Sequence, residues 1–137
     1  MGHKKVDSIT KSTLTMANHL EDRELLRYSR HIMLQGFDLE GQLKLKNAHV
    51  AVAGCGGLGM AALPLLAGAG VGKITLIDFD EVDLSNLHRQ TAYKMADVGK
   101  PKAEQAKALL YALNPEIEIM AINQKVGFEE LATIAKS

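Results

Sequence analysis

The run His49-Val50-Ala51-Val52-Ala53-Gly54-Cys55-Gly56-Gly57-Leu58-Gly59 decides the fold of this 137-residue chain. An apolar stretch bounded by glycine reads as a short buried strand, and the Ala/Leu-rich residues from Leu58 to Ala69 read as a helix. Gly54, Gly56 and Gly59 form G-x-G-x-x-G, a pattern that gains a mechanism when it leaves a strand and opens a helix. Gly54 allows the tight turn, Gly56 lets a phosphate approach the backbone, and Gly59 lets the helix pack on the strand. The free N–H groups of the helix start then attract an anion.

Working outward, Gly70-Val71-Gly72 closes the helix and Lys73-Ile74-Thr75-Leu76-Ile77-Asp78 is a second buried strand, completing a βαβ unit. Asp78 lies at that strand's end, where a carboxylate accepts hydrogen bonds from ribose hydroxyls. Pro101 suits a first helical turn, and Ala103, Ala106, Leu110 and Leu113 repeat on one face until Asn114-Pro115. Ile117, Ile119 and Ala121 then alternate with Glu116, Glu118 and Met120 as a third strand, followed by a short helix from Glu129 to Ala135. Upstream, Leu25, Leu26, Ile32 and Met33 predict one helix from Glu21 to Leu34, a loop over Gly36 to Gly41, and a short helix through Leu43 and Leu45. The chain therefore reads as α/β: a βαβαβ half of a doubly wound parallel sheet, preceded by a helical segment. Residues 1–19 are polar and aperiodic and read as a flexible leader, with one domain over 20–137.

Composition narrows the function. Sixteen Lys/Arg balance sixteen Asp/Glu, so no net field draws nucleic acid or an anionic membrane, and any anion site must be local. No window approaches the roughly 18 apolar residues of a membrane span, and the N-terminus lacks the apolar core of a signal peptide. The single cysteine, Cys55, excludes an internal disulfide and any zinc site built from paired Cys-x-x-Cys units, and points to the reducing cytoplasm. Set inside the glycine turn, Cys55 reads as a small packed side chain.

After Asp78 the segment Phe79-Asp80-Glu81-Val82-Asp83-Leu84-Ser85-Asn86-Leu87-His88-Arg89-Gln90 concentrates carboxylates, an amide and an arginine. The string D-x-D-x-V-x-x-S-N-L-x-R-Q, with G-x-G-G-L-G before it and V-G-x-P-K after it, resembles the ThiF/MoeB adenylyltransferases, relatives of the ubiquitin-activating enzymes. Arg27-Tyr28-Ser29-Arg30-His31 and Gly36-Phe37-Asp38 are most similar to the molybdopterin-synthase adenylyltransferase branch. The likeness runs from about Leu25 to Val126 and agrees with a Rossmann-like fold.

The resemblance implies ATP-dependent adenylylation of the C-terminal glycine of a small ubiquitin-like sulfur-carrier protein in molybdopterin or thiamine cofactor biosynthesis, with Mg²⁺. It implies that Gly57 approaches the nucleotide beside Gly54, Gly56 and Gly59, that Asp78 holds the ribose, and that Ser85, Asn86, Leu87, His88 and Arg89 line the phosphates with Lys102. Arg89 and Lys102 would neutralise charge at phosphorus. Arg30 matches an arginine that the family's homodimer lends to the neighbouring site. No protein metal ligand is assigned within this sequence. His88 reads as a loop or packing residue and not as a base, since an ionised carboxylate nucleophile needs none. Lys102 also admits a plain reading as a solvated lysine in a first helical turn, although a cation there sits against the helix dipole.

Family members continue beyond the point matched by Ser137. This sequence is accordingly expected to be the amino-terminal half, lacking the strand that carries a Mg²⁺ aspartate and the zinc-binding cysteines, and leaving Val50 to Ala53 as an exposed sheet edge. Two further readings stay open: a fragment that binds nucleotide or a partner without turnover, and half of an NAD-binding oxidoreductase, which would share the glycine turn and Asp78. Arg89 and Lys102 discriminate, because a dinucleotide has no γ-phosphate for a cation pair. Pro64, inside the first long helix, costs up to ~3 kcal/mol unless the helix kinks, and has no functional reading.

Overall fold

The computed structural model describes residues 16–137. Three parallel strands, β1 (His49–Ala53), β2 (Lys73–Ile77) and β3 (Glu118–Ile122), lie in the order β1-β2-β3 with β2 central. Register runs His49, Lys73, Glu118 at one end to Ala53, Ile77, Ile122 at the other. Central β2 is the continuous apolar run and is buried from Ile74 to Ile77; β3 alternates, with Ile119 buried and Met120 exposed.

Between β1 and β2 runs α4 (Gly57–Ala69), and between β2 and β3 runs α5 (Lys102–Leu113). Leu63, Ala67, Ile74, Leu76, Ala106 and Leu110 are fully buried where these helices meet the sheet. After β3, α6 (Phe128–Lys136) packs against β1. Among the described residues β1 pairs only with β2, so its other edge carries no strand. Helix α4 continues through Pro64, which leaves the Met60 carbonyl without its usual N–H partner. It ends at Gly70 in the left-handed conformation (φ 89°), as its glycine cap predicts, and Gln42 Nε2 donates to the Ala69 carbonyl at 2.8 Å.

The N-terminal segment corrects the sequence reading. The single helix expected over Glu21 to Leu34 is two, α1 (Asp22–Arg27) and α2 (Ser29–Ile32), broken at Tyr28. Tyr28 is buried, and its hydroxyl accepts from Asn114 Nδ2 (2.8 Å), which also donates to the Ala67 carbonyl. The side facing the protein is marked by Glu24, buried and paired with Lys46 at 2.6 Å. Leu26 (79% exposed), Met33 and Leu34 face outward. The expected loop over Gly36 to Gly41 is instead the approach and first turn of α3 (Asp38–Lys46): Gly41 sits inside the helix, where its missing side chain leaves room for the Phe37 ring. Of the leader expected over 1–19, residues 1–15 lie outside the described residues; Ala17 exchanges two 2.8 Å hydrogen bonds with Asn47, and the His19 carbonyl accepts from Lys46. No helix among the described residues is long and apolar enough to cross a membrane.

Candidate functional site

At the carboxyl ends of the strands, the glycine turn and Asp78 meet the loop that follows β2. Gly54 has φ 103°, a conformation that favours glycine, and its N–H donates to the Ile77 carbonyl at 2.7 Å. A side chain at Gly59 would lie 1.9 Å from the Gly54 carbonyl oxygen, so α4 can start this close to β1 only with glycine there. Asp78 is 9% exposed, and backbone N–H groups engage both of its carboxylate oxygens: Cys55 N at 2.7 Å and Asp80 N at 2.8 Å. The carboxylate thereby braces the turn and keeps lone pairs for a further donor. Cys55 has no exposure, and burial together with the Asp78 charge pushes its thiol up to about 12, so it is an inert packed residue. The Tyr93 hydroxyl donates to the Cys55 carbonyl and closes the turn from the opposite side; burial raises its pKa as well.

The opposing wall is made by two short segments that pair with each other. Glu81 bridges Pro101 antiparallel, Val82 N donates to the Lys100 carbonyl and Gly99 N to the Val82 carbonyl. Lys102 N donates to the Asp80 carbonyl at 3.0 Å, which carries the first residue of α5 to the cleft. Lys102 is 6% exposed and forms no ion pair among the described residues, so the solvated reading does not describe it. Asp83 caps the short turn Leu84–Asn86 by accepting from the Ser85 N–H and hydroxyl, bonds that hold its carboxyl below the usual carboxylate range. Arg89, exposed, donates to the Ser85 carbonyl at 3.2 Å.

Two adjoining clefts result, sharing Gly54, Asp78 and Asp80. One, about 310 Å³, is walled by Ala53, Ile77, Phe79 and Val126. The other, about 600 Å³, brings Gly54, Gly56, Asp78, Asn86, Arg89 and Lys102 together. Other residues singled out from sequence lie elsewhere. Gly57 and Gly59 belong to the first turn of α4, Ser85 is tied to Asp83, Leu87 packs on the core and His88 is exposed. Arg30 lies on α2 and lines neither cleft. Of the arginines near it, Arg23 pairs with Glu116 at 3.3 Å and Arg27 donates to the Leu113 carbonyl at 3.0 Å, while Arg30 lies across the break at Tyr28. Gln90, which no sequence argument selected, also lines the polar cleft; its place beside Arg89 in the quoted string was the available signal.

The ThiF family model matches residues 28–137. The chain belongs to the ThiF family. It is 51% identical over 115 residues to molybdopterin-synthase adenylyltransferase of Salmonella typhimurium, covering 84% of this chain and 46% of that protein. It is 44% identical over 112 residues to the sulfur carrier protein ThiS adenylyltransferase of Escherichia coli, covering 82% and 45%. The chain thus spans about half the length of the curated relatives it matches. Among solved structures, E. coli tRNA N6-threonylcarbamoyladenosine dehydratase TcdA in complex with ATP superposes with a TM-score of 0.75 at 31% identity, covering 84% of this chain and 46% of that one. E. coli MccB with AMPCPP and MccA superposes at 0.69 and 39% identity, covering 78% and 33%. The βαβαβ core with its parallel sheet is the fold these members share, and the sequence reading of family and fold class holds.

Proposed function

We propose that this chain is the nucleotide-binding half of an ATP-dependent adenylyltransferase acting on the C-terminal glycine of a ubiquitin-like sulfur-carrier protein in the cytoplasm. The observation that carries the reading is Lys102: a residue only 6% exposed, with no ion pair among the described residues, set with Asn86 and Arg89 in a cleft that Asp78, Asp80, Glu81 and Asp83 also line. Among the described residues none of those carboxylates comes within ion-pair distance of Lys102, and a polyphosphate entering the cleft gives Lys102 and Arg89 a direct partner. The apolar cleft beside Ala53, Ile77 and Val126 takes the adenine, Asp78 between the clefts takes the ribose hydroxyls, and the polar cleft takes the phosphates.

In the reaction, the carrier's terminal carboxylate attacks the α-phosphorus, the bond to the bridging oxygen of the β-phosphate breaks, and pyrophosphate leaves. Arg89 and Lys102 offset the charge that accumulates as two anions meet, while Asn86 orients phosphate oxygens. Mg²⁺ would neutralise phosphate charge when bound. It needs only one or two carboxylates besides phosphate oxygens, and Asp80 and Asp83 line the polar cleft where they could serve. Arg30, exposed on α2 near Met33 and Leu34, would serve the cleft of a second copy in a homodimer joined through that apolar face.

Thermal denaturation with ATP or NAD tests the reading. A ligand at 100 times its Kd stabilises the fold by about 2.7 kcal/mol. A larger shift with ATP than with NAD is expected; an equal or larger shift with NAD would assign the cleft to a dinucleotide.

A further inference from the structure

Gln90 is held firmly by its backbone while its side chain bonds to nothing among the described residues. Its N–H donates to the Asn86 carbonyl at 2.8 Å and its carbonyl accepts from Tyr93 N at 3.3 Å, and the Tyr93 hydroxyl in turn holds the Cys55 carbonyl of the glycine turn. The residue is 6% exposed, and its Oε1 is sealed from solvent without a donor. Its Nε2 faces the glycine turn: a Cβ at Gly56 would sit 3.3 Å away, tight enough that a side chain at Gly56 would press on the amide. Packing alone would be served better by Leu or Met, because the sealed Oε1 forfeits the hydrogen bond it makes in water, while Nε2, which is not among the sealed atoms, stays an unspent donor on a residue that lines the polar cleft.

We propose that Gln90 is a substrate-positioning residue whose Nε2 donates a hydrogen bond to an oxygen of the phosphate nearest the ribose. The proposal rests on the nucleotide reading of the cleft. Gly54 and Asp78 adjoin both clefts, so the nucleotide passes from ribose to first phosphate at the place where Gly56 and Gln90 meet. Arg89 and Lys102 supply charge; a neutral planar amide supplies direction, fixing one phosphate oxygen relative to the incoming carboxylate. The absence of a side chain at Gly56 then keeps the amide's line to that oxygen open.

Calorimetric titration of ATP, AMP and adenosine into the native chain, Gln90→Met and Gln90→Glu, with melting curves to confirm folding, decides the matter. Gln90→Met keeps the volume and removes the donor. It should weaken ATP and AMP by the same factor, about tenfold, and leave adenosine unchanged. Gln90→Glu keeps the shape, places a negative charge beside the phosphate, and should weaken both nucleotides more; it decides the question if Gln90→Met does not fold. Unchanged ATP and AMP affinity in a folded variant, or an equal loss for adenosine, would overturn the proposal and leave the nucleotide reading standing. A native chain that binds none of the three would overturn the nucleotide reading and the proposal with it.

Discussion

On the glycine-turn side of the polar cleft, the polar groups bind one another. Asp78 accepts from Cys55 and Asp80, Gly54 donates to Ile77, and Tyr93 holds the Cys55 carbonyl. On the opposite side, the backbones of Asn86, Gln90 and Lys102 are bonded, yet their side chains have no partner among the described residues, and Arg89 reaches only one carbonyl. The first wall is a template made rigid at the expense of its own hydrogen-bonding capacity. The second, which Asp80, Glu81 and Asp83 also line, keeps the donors of Asn86, Gln90 and Lys102 unspent in fixed places, as preorganised binding of a phosphate requires.

The contrast breaks first if the template is not rigid. Gly59→Ala should cost about 3 kcal/mol in urea denaturation, because its Cβ meets the Gly54 carbonyl, whereas Gly57→Ala, open on all sides, should stay within about 1 kcal/mol of the native chain. Equal effects would show that the turn yields freely. The buried thiol sharpens the same point. Cys55 keeps its proton to about 12 when folded but releases it near 9.0 when unfolded, so the unfolded chain binds fewer protons and stability falls as pH rises between those values. The loss should approach about 1.4 kcal/mol per pH unit, or about 2.3 kcal/mol from pH 9 to 11, and Cys55→Ala should flatten the first part of that decline. Tyr93 acts in the same direction at higher pH. An unchanged slope in Cys55→Ala would mean that the turn admits water.

The template wall was legible in sequence because its determinants are local. Buried parallel strands appear as unbroken apolar runs, and glycine marks the turn at Gly54 and the cap at Gly70. The N-terminal helices were not, because Leu25, Leu26 and Met33 satisfy a helical period equally well facing outward. Their orientation is set by the long-range contacts of Glu24 with Lys46 and Tyr28 with Asn114. The cationic wall is an intermediate case. The residue types at Asn86, Arg89 and Lys102 could be picked out, but the burial of Lys102 comes from pairing between Glu81 and Pro101, and Gln90 stands out only once its unbonded oxygen is seen.

The central claim is that the second wall is reserved for phosphates, and Lys102→Ala tests it most directly. Calorimetric titration of ATP and AMP into the native and substituted chains should show ATP affinity falling about tenfold more than AMP affinity, a difference of about 1.4 kcal/mol, because the ammonium is assigned to phosphates beyond the first. Equal losses for ATP and AMP would contradict the account and make Lys102 a residue of the fold or of the ribose site.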